Sequence, residues 1–211
     1  HLAVDADQVL LTQGSSQALD LVARRLVKPG DVVLVDDPGY PNLLFMLRFA
    51  GAQVVGVPRT ATGYDLPALE ALLAERQPTV FFTQPRLQSP TCSVASVAHL
   101  HRLLQLAEQH NFMLVENDIY ADMDPGVRPS LASLDQLNRV IYLGSFSKTI
   151  SPNLRTGFLA ARRDLLDDGQ QVFGFGPAFV IHAGAGSDTP EIEAHGAPAG
   201  LHAGARQGLD D

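Results

Sequence analysis

Short β-branched runs alternate with longer stretches in which apolar residues recur every three or four positions, and the alternation continues to about residue 163. The runs predict strands at residues 8–12, 32–35, 52–57, 79–83, 112–116, 140–143 and 155–160. Residues 15–27 set Ala18, Leu19, Val22 and Leu26 on one helical face. Residues 94–110 do the same with Val97, Leu100, Leu103, Leu104 and Ala107, so both segments predict helices able to cover a sheet. Breakers fall between these elements: Lys28-Pro29-Gly30-Asp31, Gly51 after a helix that starts at Pro41, and Pro78 after Glu75-Arg76. Strands alternating with helices predict an α/β fold, a mostly parallel seven-stranded sheet sandwiched by helices.

The texture changes after residue 168. Residues 169–211 hold nine of the 18 glycines, which disfavours stable helix and predicts an irregular tail. Only Ala178 to Ile181 offers a strand-like run there. The expected division is a large domain over 1–168 and a Gly/Ala-rich tail over 169–211. The first residue, His1, is neither a methionine nor part of a signal-like apolar stretch, so the chain reads as internal to a longer protein.

Composition narrows the function classes. With 45% hydrophobic and 18% charged residues the chain is globular, and no apolar run approaches the roughly 18 residues of a membrane span. A net charge of −8 repels phosphate backbones, which argues against nucleic-acid binding through this chain. A single cysteine, Cys92, excludes an internal disulfide and fits a reducing, cytoplasmic compartment. His99 and His101 diverge on a helix, and His182, His195 and His202 lack zinc spacing, so no metal is expected.

The string YLGSFSKTISPNLRTGF, residues 142–158, places Lys148 just after a strand in a Ser- and Gly-rich loop. The chain has two lysines, and the other, Lys28, sits in an exposed type of turn, which leaves Lys148 as the candidate amine. If buried near positive charge, such an amine is freed to attack a carbonyl and form a Schiff base; otherwise it is a solvated loop residue. Ser145 and Lys148 also match the Ser-x-x-Lys pattern of serine acyl transfer. Pro152 follows within four residues, however, and neither Ser-Asp-Asn nor Lys-Thr-Gly occurs.

Thr12-Gln13-Gly14-Ser15-Ser16-Gln17 joins a strand to a helix, so its backbone amides and serine hydroxyls can hold a phosphate, or simply cap the helix. Arg155 could pair bidentately with the same anion. Asp36-Asp37-Pro38-Gly39-Tyr40 would present the Tyr40 ring at the carboxyl edge of the sheet, where open α/β sheets bind ligands. Glu116-Asn117-Asp118-Ile119-Tyr120 offers an acid and a phenol at the end of another strand.

From about residue 3 to 163 these pieces resemble the large domain of fold-type-I pyridoxal-phosphate enzymes, the class I/II aminotransferases. The strings TQGSSQALDL, FFTQPRLQSPT, VENDIYADMDP and GSFSKTISPNLR resemble the aminotransferase-like domain of MocR-type regulators in particular. In that branch an N-terminal winged helix-turn-helix binds DNA and the aminotransferase-like domain senses a ligand. The resemblance implies pyridoxal 5'-phosphate as cofactor, with Lys148 as its Schiff-base lysine. It places the phosphate on Gly14, Ser15, Ser16, Ser145, Ser147 and Arg155, the ring against Tyr40, and the ring hydroxyl near Tyr120 and Ser89. An amino acid or 2-oxo acid would be the second ligand, and the parent protein would be a homodimer. Catalytic roles fall to Lys148, Asp118 and Tyr120.

Two departures stand out. Ser89-Pro90-Thr91-Cys92 replaces the common Asn-Pro-Thr-Gly, shortening one contact and altering a glycine turn. The common Asp-x-x-Tyr pattern has Asn117 in place of its aspartate, with Asp118 one residue late. Neighbours on an extended strand face opposite ways, so one of the two reaches the ring nitrogen. Asp118 is the expectation if the segment shifts locally, and Asn117 is the alternative. Arg206 is the sole arginine beyond Arg163, and no substrate-carboxylate arginine is assigned.

Overall fold

The computed structural model describes residues 2–166. The anticipated tail, its possible strand at 178–181, His182, His195, His202 and Arg206 lie outside the described residues. Strands β1 (Val9–Thr12), β2 (Val32–Asp37), β3 (Gln53–Thr60), β4 (Gly63–Tyr64), β5 (Pro78–Thr83), β6 (Met113–Asn117), β7 (Val140–Ser145) and β8 (Gly157–Ala160) form one sheet. Its order is β1-β8-β7-β6-β5-β2-β3-β4. The five central strands, β7, β6, β5, β2 and β3, run parallel; β8 is antiparallel to both of its neighbours, and β4 is antiparallel to β3.

All seven expected strands are present, within three residues at their ends, the largest difference being β3, which runs on to Thr60. The eighth, β4, is a two-residue hairpin return whose length gives no alternating pattern to detect. Strand β8 begins at Gly157 rather than at residue 155, because Pro152–Leu154 forms a 3₁₀ turn that ends on Arg155 in left-handed conformation.

Helices α1 (Gly14–Leu26), α2 (Pro41–Phe49), α3 (Leu66–Glu75), α4 (Val97–Gln109) and α5 (Leu131–Asp135) cover the sheet. Helix α4 starts at Val97 instead of residue 94 because Ser96 caps it, accepting from the His99 backbone N–H at 3.3 Å. Helix α5, unforeseen in the sequence, is one short turn capped by Ser130. None of the described helices is long and apolar enough to cross a membrane.

Strand alternation splits the interior into two layers. On one side Val33, Val35, Phe82, Val115, Ile141 and Leu143 pack with Ala18, Leu19 and Val22 of α1 and Leu43 and Leu47 of α2. On the other, Leu34, Phe81, Leu114 and Val140 pack with residues of α3, α4 and α5, including Leu69, Leu103 and Leu131. We call these the α1 face and the α4 face. Because β2, β5, β6 and β7 are parallel, their carboxyl ends gather at one edge, and the loops leaving that edge carry the candidate chemistry.

Candidate functional site

At the β1–α1 junction, Gly14 adopts φ +76°, which only glycine takes without steric cost, and it is buried. A Cβ there would lie 2.8 Å from the Arg155 guanidinium. A Cβ on Gly157 would lie 2.8 Å from the Gly14 carbonyl carbon and 3.0 Å from the Ser15 nitrogen. Two missing side chains therefore let the antiparallel β8 bring Arg155 onto the first turn of α1. Arg155 is exposed and donates to the Gln13 carbonyl at 3.4 Å. The helix has no side-chain cap at Gln13, so the first-turn N–H groups around Ser15 and Ser16 face outward beside a cation.

The loop after β7 supplies the next group. Ser145 is buried on the α1 face, in step with Ile141 and Leu143, and its hydroxyl accepts from the Ser147 backbone N–H at 3.2 Å. The Ser147 Oγ is buried without a hydrogen-bond partner among the described residues. Lys148 follows in a turn closed by the Ile150 N–H donating to the Phe146 carbonyl at 2.9 Å. It is exposed, and its Nζ stands 5.8 Å from the centre of the Tyr120 ring. The burial that would free its amine is thus not supplied by the described residues alone.

Tyr40 sits at the start of α2, half-buried against the α1-face core. The preceding turn requires Gly39, since a side chain there would collide with the Asp36 carbonyl. The buried Gln88 amide donates to the Pro38 and Ser89 carbonyls, each at 2.8 Å, and so ties the Ser89 loop to the Tyr40 turn. Cys92, standing where the common pattern has glycine, is held in the left-handed region at φ +55°. Its N–H closes the loop on the Gln88 carbonyl. Neither Tyr40 nor Ser89 hydrogen-bonds Lys148 or Arg155, so these described residues fall into three groups around one edge.

The 116–118 segment divides between faces. Glu116 accepts from the Leu131 and Ala132 N–H groups, both at 2.9 Å, and anchors α5 on the α4 face. Burial pushes its carboxyl up to about 8, against the pull of those two hydrogen bonds. Asp118 faces Arg86, whose Nε is 3.3 Å away, and accepts from the Tyr142 hydroxyl at 3.2 Å. Burial raises its pKa, and the Arg86 guanidinium opposes the rise. Asn117 instead lies on the α1 face with Met113 and Val115, buried, its Oδ1 lacking a hydrogen-bond partner among the described residues. The local shift on which Asp118's approach to the ring nitrogen would depend is not seen in the described backbone. Strand β6 continues regularly through Asn117, and Asp118 is committed to Arg86 and Tyr142.

Arg86 was not anticipated, and neither was a second buried network on the α4 face. There Asp36 lies 3.5 Å from Arg59 and accepts from the Thr83 hydroxyl and the Gln84 N–H. Burial outweighs the Arg59 guanidinium and pushes Asp36 up to about 6. Arg59 also stacks 4.5 Å over the Tyr64 ring. The one available signal was a charged residue inside a mostly apolar strand, Arg59 in β3.

Residues 1–178 match the family described as aminotransferase class I and II. The chain is 37% identical over 171 residues to 2-aminoadipate transaminase of Thermus thermophilus, covering 78% of this chain and 43% of that protein. It is 33% identical over 182 residues to the probable rhizopine catabolism regulatory protein MocR of Rhizobium meliloti, covering 84% and 36%. Among solved structures it is similar to the α-aminoadipate aminotransferase LysN of Thermus thermophilus, complexed with N-(5'-phosphopyridoxyl)-L-leucine. That likeness has a TM-score of 0.75 at 36% identity and covers 79% of this chain and 44% of that one. An archaeal alanine:glyoxylate aminotransferase gives a TM-score of 0.77 at 31% identity, covering 81% and 44%. The chain spans less than half the length of these relatives.

Proposed function

Since the chain belongs to the aminotransferase class I and II family, we propose that its described residues form a pyridoxal 5'-phosphate site whose second ligand is an amino acid or 2-oxo acid. The observation that carries this reading is the junction of α1 with Arg155. Two glycines whose Cβ atoms would fill it keep it open, and helix N–H groups and a guanidinium converge there on one small volume. The unpartnered Ser147 Oγ and Asn117 Oδ1 add polar groups that a ligand would satisfy. These residues fit a phosphorylated, nitrogen-bearing aromatic aldehyde.

In this reading Gly14, Ser15, Ser16, Ser145, Ser147 and Arg155 hold the phosphate, and Lys148 supplies the amine that tethers the aldehyde. When bound, the cofactor supplies an electron sink for the pair left when an amino-acid Cα–H bond breaks. Lys148, exposed beside Tyr120, is the group able to take that proton at its Nζ and return it. Tyr40 covers the ring from the start of α2, and Tyr120 and Ser89 approach its hydroxyl. Amino-group transfer is then the activity of the parent protein. A second reading, a ligand-sensing domain in a transcriptional regulator with little turnover, is favoured by the similarity to the MocR protein and by Asn117.

The test is chemical. The 211-residue chain is mixed with pyridoxal phosphate, reduced with borohydride and digested. The cofactor is expected on the peptide containing Lys148, and Lys148→Ala is expected to abolish labelling. Label confined to the Lys28 peptide, or label surviving in the variant, refutes the assignment. Adding single amino acids and following the absorption band then separates turnover, in which the band converts, from capture, in which it shifts and stays.

A further inference from the structure

Three consecutive polar residues close β6 and the turn after it, and among the described residues only the middle one has a buried oxygen with neither a hydrogen bond nor an ion pair. Both Glu116 oxygens accept helix N–H groups, and Asp118 is held by Arg86 and Tyr142. Asn117 is 9% exposed, on the same face as Ser145 and the first turn of α1, and its Oδ1 has no hydrogen-bond partner among the described residues. A buried polar atom left alone carries a desolvation cost that a ligand atom would remove, which marks this side chain as facing a ligand. Its chemistry limits that atom. A carboxylate would favour a cation opposite it, whereas a carboxamide carries no charge. An orphaned oxygen calls for a donor, but a half-turn of the terminal group puts an N–H at the same point, and it is this orientation that pairs with an unprotonated nitrogen.

We propose that Asn117 meets the ring nitrogen of the cofactor assigned above and keeps that nitrogen unprotonated. This deepens the pyridoxal-phosphate reading and rests on it. The neighbouring acid does not substitute. Turning Asp118 to the α1 face would strip the Arg86 guanidinium, 14% exposed, of its nearest carboxylate and break the Tyr142 hydrogen bond. Arg86 thus acts as a positioning residue that keeps the acid on the far side of the strand. An uncharged ring withdraws electrons more weakly than a protonated one, so Cα–H cleavage of a captured amino acid slows while capture itself is untouched. The site is then built to hold an amino acid longer than it converts one.

The probe is pyridoxal phosphate labelled with ¹⁵N in the ring and bound to the full chain. The expected nitrogen resonance is that of neutral pyridine across neutral pH. Asn117→Asp is expected to move it to the pyridinium position, and Asp118→Asn to leave it in place. A pyridinium shift in the unmodified protein, or a shift that moves in Asp118→Asn, overturns the proposal. Should either variant fail to fold, the unmodified protein's resonance alone decides. Borohydride labelling separates the two levels: Lys148 labelled together with a pyridinium signal refutes the role of Asn117 only, and no label at Lys148 refutes the cofactor reading beneath it.

Discussion

The two faces of the sheet meet the same carboxyl edge and treat polar groups in opposite ways. On the α4 face, the buried acids are bound within the fold: Asp36 to Arg59, Thr83 and Gln84, Glu116 to α5, and Asp118 to Arg86 and Tyr142. On the α1 face the polar atoms of Asn117 and Ser147 are left over, Lys148 is exposed, and glycines hold space open. The α4-face network also buries atoms without a hydrogen bond, Arg59 Nε and Nη1 and Asp118 Oδ1, but these belong to ion-paired side chains. Asn117 Oδ1 and Ser147 Oγ have neither kind of partner among the described residues, a cost that folding alone does not recover. One layer is thus the frame and the other the receptor, and each substitution below tests that division.

The largest effect belongs to the frame. Arg59→Met removes a cation whose side chain is 1% exposed and leaves Asp36 buried without it, so unfolding free energy should fall by about 3–5 kcal/mol. Urea denaturation measures this, and a loss within error would show that Asp36 is held by Thr83 and Gln84 alone. Next comes Glu116→Gln, which offers one acceptor to two helix N–H groups and should cost about 1–3 kcal/mol. It also changes the pH profile. Glu116 is raised from 4.5 to about 8 in the folded chain, so between those values the native state binds more protons than the unfolded one. The contribution of Glu116 therefore makes stability fall as pH rises through that window, and Glu116→Gln should flatten this part of the profile.

On the receptor face the expected stability effects shrink while those on binding grow. Gly157→Ala puts a methyl group 2.9 Å from the Gly14 Cα, costing about 1 kcal/mol of stability, and it should weaken cofactor binding by about tenfold as the junction opens. Fluorescence titration with pyridoxal phosphate measures the loss, and unchanged affinity would place the phosphate elsewhere. Lys148→Ala, smallest of all, should alter the thermal midpoint by an amount equivalent to less than about 0.5 kcal/mol, because the side chain is exposed. A larger change would make Lys148 part of the frame.

Sequence reading recovered elements whose signal is local. The strands of the parallel core are continuous β-branched runs, and α1 and α4 carry a clear helical period, so their places were legible. Helix α5 and β4 were not, since five and two residues carry no period. Gly14 and Arg155 were assigned to one phosphate, but their direct contact is made by an antiparallel β8, which no local pattern encodes. The choice between Asn117 and Asp118 turned on whether β6 keeps its alternation to its last residue. That depends on Arg86, which sits 32 positions before Asp118 and competes for the acid. Networks assembled from distant side chains, such as Asp36 with Arg59, escape a reading that proceeds along the chain.

The sheet order carries one more consequence, for biosynthesis. Among the described residues β1 is an edge strand whose sole neighbour is β8, although almost 150 residues separate the two along the chain. A nascent polypeptide leaving the ribosome can pair β2, β5, β6 and β7 as each emerges, while β1 must wait for its partner until β8 is made. Closure of that edge is a long-range event, and the phosphate cradle assigned here cannot help nucleate the strands before β7, because Ser145, Ser147 and Arg155 are synthesised well after α1.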